Sequence, residues 1–188
     1  MTSKQPITSS SLGHYPAWTD FDLQQQLARV ETNGLLTIFR ATAERYDFPV
    51  EVLLGIASRE SNIESVIGDG GHGYGIMQID DRSFSDWCHC GSWRNPTACI
   101  RMGVSILDQH REMILHSQGV VLRVGGDGFT GKSNLTEEEL LRTTIASYNS
   151  GLWAYYGLSV EGDPDFRSTG GNYSADTLAR AGVFKSLL

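Results

Sequence analysis

The 188 residues carry 22 acidic against 15 basic side chains, a formal net charge of −7, with 40% hydrophobic and 20% charged residues. That is ordinary globular composition in a chain long enough to bury a sizeable core. It excludes an apolar helical membrane span, because no run nears about 18 apolar residues, and it lacks the basic stripe that nucleic-acid binding demands.

Met1 to Ser11 are polar and Ser/Thr-rich, with no apolar stretch of the kind a secretory signal peptide needs. Residues 1–16 are expected to form a flexible arm and 17–188 a single folded domain. Thr19 or Asp20 can cap a short helix over 18–30 carrying Phe21, Leu23 and Leu27, which Asn33-Gly34 ends. A second helix is expected over 35–46, with Leu35, Ile38, Phe39, Thr42 and Tyr46 near one face. Pro49 and Glu51 suit the first turn of a third. On that helix Leu53, Ile56, Ala57 and Glu60 share a face at i, i+3, i+4 and i+7. A carboxyl group therefore stands where the period calls for an apolar residue. Burying its charge costs several kcal/mol unless it is paired or its pKa moves.

Gly68, Gly70, Gly71, Gly73 and Gly75 then break the helix. Alternation follows, with Gly75, Met77 and Ile79 inward, Tyr74, Gln78 and Asp80 outward, and Ile76 as the exception. This turn-rich strand region brings two more carboxyls, Asp69 and Asp80. A carboxylic acid in an apolar setting, near carboxylates in a polar one, is the arrangement glycoside hydrolysis needs. Each has a plainer reading. Asp69 can bond its own backbone in a turn, and Asp80 can cap the turn that follows, with Asp81 as a rival for its role.

Residues 82–95 read as a loop in which Trp87 and Trp93 are expected to pack rather than stack on a sugar. Cys88, Cys90 and Cys99 are the only cysteines. Their spacing is not that of a zinc site, even with His72 and His89, so no metal is expected. A bridge from Cys99 to Cys88 or Cys90, and three free thiols, both stay open. Pro96 opens a long helix to about Ser117 along Ile100, Val104, Leu107, Arg111 and Ile114. The glycine-rich stretch 118–134 is expected to be an exposed loop. Thr136 and Glu139 make a capping box for the next helix, which delivers Tyr148-Asn149-Ser150-Gly151. Trp153, Tyr155 and Tyr156 are expected to wall a path from core to cleft. Residues 157–172 read as a polar loop, Ser174 as the cap of a final helix, and Tyr173 as able to reach Glu60 through its hydroxyl.

Four of these stretches resemble the goose-type lysozymes: Ser58-Arg59-Glu60-Ser61, the run from Gly73 to Asp80, the run from Ala146 to Gly151, and Tyr173 with Ala179-Arg180-Ala181. Their order and spacing make the resemblance specific, and it spans roughly residues 35 to 184. It implies an α+β, mostly helical, lysozyme-like fold with a small glycine-rich antiparallel sheet flanking the cleft. It implies a secreted, monomeric muramidase that cleaves the β-1,4 bond between N-acetylmuramic acid and N-acetylglucosamine in peptidoglycan, with inversion, in an antimicrobial role. Glu60 would be the general acid, and Asp69 and Asp80 would position and activate the water. Gln78, Tyr148, Asn149 and Tyr173 would bind sugar or orient the acid, with no cofactor. Phe84 departs from the pattern, since many relatives carry histidine there. Three rivals stand beside this reading: a lytic transglycosylase using Glu60 alone, which the two aspartates argue against; a chitinase-like hydrolase of N-acetylated glycan, which the acidic charge favours; and a non-catalytic glycan-binding module.

Overall fold

The computed structural model describes residues 18–188, so the arm expected over 1–16 lies outside the described residues. Three helices open the chain, α1 (Asp20–Thr32), α2 (Leu35–Tyr46) and α3 (Val50–Ser61). Thr19 caps α1 in a capping box with Asp22, whose carboxylate accepts the Thr19 N–H at 2.8 Å and its hydroxyl at 2.7 Å. In α3 Val52, Leu53, Leu54, Ile56 and Ala57 are all buried, so the helix is apolar nearly all round and runs through the core. It packs on the last helix, α8 (Tyr173–Leu187), across Gly55, where a Cβ would stand 2.7 Å from the Thr177 carbonyl oxygen. Only glycine lets the two backbones come this close.

Three two-residue strands follow α3: β1 (Ile67–Gly68), β2 (Gly73–Tyr74) and β3 (Ile79–Asp80). They pair antiparallel in the order β1-β2-β3, with Gly68 opposite Gly73 and Gly73 opposite Asp80. The expected alternation holds. Gly75, Met77 and Ile79 are buried, Ile76 is buried with them, and Tyr74, Gln78 and Asp80 stay partly open.

Past β3 the chain is more regular than its sequence suggests. The stretch expected as a loop over 82–95 is a kinked helix, α4 (Asp81–His89), and a 3₁₀ turn at Ser92–Arg94. Asp80 starts α4 by accepting the Arg82 N–H at 3.0 Å. Trp93 is buried edge-on to Tyr74, 5.7 Å between centroids, and Trp87 packs half-buried against the core. The long helix α5 (Pro96–His116) passes beneath the sheet. At Gly103 a Cβ would stand 2.7 Å from Met77 Cβ and 2.8 Å from the Tyr148 hydroxyl. From the same helix Arg111 donates to the Tyr46 and Asp47 carbonyls at 2.7 and 2.9 Å, a cation at the C-terminal end of α2.

The expected loop over 118–134 contains a hairpin, β4 (Val121–Val124) and β5 (Asp127–Thr130). Gly125 and Gly126, at φ 57° and 95°, make the two-residue turn that such a hairpin favours. Phe129 on the hairpin is buried with Ile114, Tyr155 and Leu158 in a second apolar cluster, against which Leu122 packs. Tyr155 and Tyr156 meet Phe129 edge-on there, at 6.1 and 5.3 Å, and Trp153 packs on Tyr156. These aromatics therefore build a second core and not a cleft wall.

The capping box at Thr136 and Glu139 does start α6 (Glu137–Ser150), which leads into α7 (Leu152–Tyr156). The expected polar loop over 157–172 is instead a wide helical turn, Gly157–Glu161, followed by turns around a buried Asp165. Asp165, not Ser174, closes the start of α8. Its carboxylate accepts the Ser174 N–H at 2.8 Å, the Ala175 N–H at 3.1 Å and the Ser174 hydroxyl at 2.7 Å. The three thiols are free, with Cys88 and Cys99 buried and Cys90 exposed. No helix among the described residues is long and apolar enough to cross a membrane. The architecture is mostly helical α+β with a small antiparallel sheet, consistent with a lysozyme-like fold.

Candidate active site

A cleft of about 490 Å³ lies where the end of α3 meets the small sheet, the end of α6 and the start of α8. All seven residues singled out in the sequence line it: Glu60, Asp69, Gln78, Asp80, Tyr148, Asn149 and Tyr173. Four separate segments bring them together, from α3, the glycine-rich sheet, the end of α6 and the start of α8.

Glu60 sits on the last turn of α3, partly open to the cleft but with its carboxyl packed among protein atoms. That burial pushes its pKa up to about 7. A hydrogen bond from the Tyr173 hydroxyl to Oε1 and the nearby Arg59 charge pull the other way, while Asp69 adds to the rise. At neutral pH the group is poised between acid and carboxylate, where a general acid works best. Burial, with the Glu60 charge next in weight, holds the Tyr148 and Tyr173 hydroxyls well above the ordinary phenol range, so both remain neutral donors.

Several of these side chains already have structural work. Tyr148 donates to the Met77 carbonyl at 2.8 Å, tying α6 to the sheet. Asn149 Oδ1 accepts the Thr169 N–H at 2.7 Å and so fixes the turn before α8. Gln78, in the left-handed region at φ 47°, donates to the Gly75 and Val66 carbonyls at 2.8 and 3.1 Å. Its amide thereby closes the turn between β2 and β3.

Arg59, which also lines the cleft, enters a buried charge network. It pairs with Asp176, donates to the Thr169 carbonyl and Asn172 Oδ1 at 3.2 Å each, and stands 5.3 Å over the Tyr173 ring. Asp176 also accepts from Trp18 Nε1 at 2.7 Å and Arg180 Nε at 2.9 Å, and Arg180 Nη1 reaches Ser58 Oγ at 2.9 Å. Burial pushes the Asp176 carboxyl up, but its Trp18, Arg180 and Arg59 partners more than offset this and leave it below the usual range. The network locks α3 to α8, which places Tyr173 against Glu60.

The aspartates stand in a different setting. Asp69 is exposed in a 3₁₀ turn between β1 and β2, with its backbone at φ 47°. Asp80, at the end of β3, is half-buried. Arg82 reaches both, donating to Asp69 Oδ2 at 2.7 Å and to Asp80 Oδ1 at 2.8 Å. The sequence reading passed over Arg82. The signal available was its place two residues beyond a capping aspartate, close enough to fold back on it. A second hollow of about 310 Å³ continues past Gln78, Asp80, Tyr148 and Asn149 to Phe84 and His110. Burial pushes the His110 imidazole pKa down, so its ring tends to be neutral.

Chemically, the cleft holds one carboxyl able to carry a proton at neutral pH and two carboxylates able to orient a water. Comparison with known proteins gives the family. A family model described as the transglycosylase SLT domain matches residues 37–155. Lysozyme g of Casuarius casuarius is 28% identical over 153 residues, covering 79% of this chain and 71% of that protein. Lysozyme g of Gallus gallus is 31% identical over 157 residues, covering 81% and 64%. Lysozyme g of Cyprinus carpio is 28% identical over 139 residues, covering 72% and 64%. This chain thus spans about two thirds of the length of these relatives. It belongs to the transglycosylase SLT domain family, within the lysozyme-like superfamily, with goose-type lysozymes among its relatives.

Proposed function

We propose that this protein hydrolyses the β-1,4 bond between N-acetylmuramic acid and N-acetylglucosamine in peptidoglycan. The observation that carries the reading is Glu60, its pKa raised to about 7 by burial, in one cleft with Asp69 and Asp80. Glu60 protonates the glycosidic oxygen as the bond breaks. Asp69 and Asp80 hold a water and take up its proton as it attacks the anomeric carbon, which inverts the configuration there. Gln78, Tyr148, Asn149 and Tyr173 line the sugar path, and Tyr173 also orients the acid. The same reading has the protein acting as a monomer outside the cell that makes it, on bacterial walls.

The matched family favours a second reading, a lytic transglycosylase. There Glu60 works alone and the sugar's own oxygen displaces the leaving group, so the product is an anhydro sugar. Mass spectrometry of fragments released from purified peptidoglycan separates the two. Reducing-end products support hydrolysis, whereas products lighter by one water establish the transglycosylase and remove the roles given to Asp69 and Asp80. Cleavage of chitin alone would keep Glu60 and change the substrate. Glu60→Gln is expected to lower turnover at least about a hundredfold, since it removes the transferable proton and keeps the shape. Turnover within a few-fold of wild type would sink both readings.

A further inference from the structure

Asp69 has little of its own to hold it. It stands in a run of three left-handed residues, at φ 47°, 62° and 106°, and nothing lies within 4 Å of where a Cβ would sit on Gly70 or Gly71. Among the described residues its carboxylate has one side-chain partner, Arg82, across 2.7 Å. Asp80 is gripped by the same residue twice, through Nε at 2.8 Å and the backbone N–H at 3.0 Å, both on Oδ1. The planar guanidinium thus spans the two carboxylates and sets their spacing. It engages one oxygen of each, and among the described residues no hydrogen bond engages Asp69 Oδ1 or Asp80 Oδ2. The Arg82 and Asp69 side chains are 59% and 63% exposed, so the pair adds little to stability. Its value lies in geometry.

We propose that Arg82 is a positioning residue, whose guanidinium ties Asp69 to Asp80 and turns two separate carboxylates into a bracket for one water. The proposal rests on the hydrolytic reading above. The other charged or titratable groups of the cleft are Glu60 and Arg59 from α3, Tyr148 from α6 and Tyr173 from α8. Asp81, next to Asp80, is turned to His72 at 2.8 Å and His89 at 3.2 Å. Arg82 is therefore the cation between the two aspartates. Without it two like charges face each other with nothing to hold them at one spacing.

The test is the kcat and KM of peptidoglycan turnover for wild type, Arg82→Ala, Arg82→Lys and the Asp69→Asn/Asp80→Asn double variant. Arg82→Ala is expected to lower kcat about tenfold with little change in KM. The pH limb set by Glu60 should stay in place, because the acid itself is untouched. Arg82→Lys should restore only part of kcat, because one ammonium cannot bridge both carboxylates as the fork does. Melting temperatures should stay within about 2 °C of wild type. An unchanged kcat in Arg82→Ala, or a change confined to KM, overturns the proposal. A double variant that turns over like wild type instead defeats the hydrolytic reading itself. In that event a crystal structure of Arg82→Ala decides the bracket without substrate. Asp69 and Asp80 carboxylates moved apart in that structure support it, and an unchanged spacing overturns it.

Discussion

At the scale of single residues, Glu60 is held against its own ionisation. Its pKa is about 7 in the folded chain and near 4.5 in an unfolded one. Between those values the unfolded chain gives up the proton first, so stability falls as pH rises through that window and the loss is complete above it. Glu60→Gln is therefore expected to raise stability by about 1–3 kcal/mol at pH 8 and by almost nothing at pH 4. Urea unfolding at the two pH values measures this, and an equal effect at both would contradict the raised pKa. Tyr173 acts on the same proton from the other side. Its hydroxyl lowers the Glu60 pKa, so Tyr173→Phe should shift the alkaline limb of activity upward by about one pH unit. A pH–rate profile of the variant reads that shift directly. Glu60 was legible in the sequence because it broke an apolar period. Arg82 was not, because an arginine after a capping aspartate breaks nothing.

Among the elements, those with a strong helical period were readable: α1, α2, α3, α5 and α6 fall where their apolar stripes and caps put them. The failures have physical causes. The hairpin β4–β5 was hidden by its glycines, although Val121–Val124 followed by Gly125-Gly126 carries the signal of a two-residue turn. Asp165 caps α8 from eight residues before the helix begins, a tertiary contact that no local pattern records. Ser174, which looks like the cap, instead hands its hydroxyl to that aspartate. The packing of α3 on α8 was invisible for a simpler reason, since a lone glycine in a helix does not announce what touches it. Gly55→Ala would drive a methyl into the Thr177 carbonyl, at an expected cost of about 1–3 kcal/mol, measurable as a lower urea midpoint. The same push should disturb Tyr173, since α8 carries it.

Taken whole, the molecule has two apolar cores of unequal size. The larger gathers residues from α1, α2, α3, α5, α8 and the small sheet, and the cleft opens at its edge. The smaller holds the hairpin against the end of α5 and against α7. The four lysozyme-like motifs all border the larger one, which is why the sequence was readable there and poorly readable over the hairpin. No hairpin residue lines the cleft, and at the tip nothing lies within 4 Å of where a Cβ on Gly126 would be. The chain therefore has a splice point. A foreign segment inserted at Gly126 is expected to leave peptidoglycan turnover within about twofold of wild type, since exposed loop tips accept insertions at small entropic cost. A fused wall-binding module could be carried there, on a hairpin seated in the smaller core that gives no residue to the cleft.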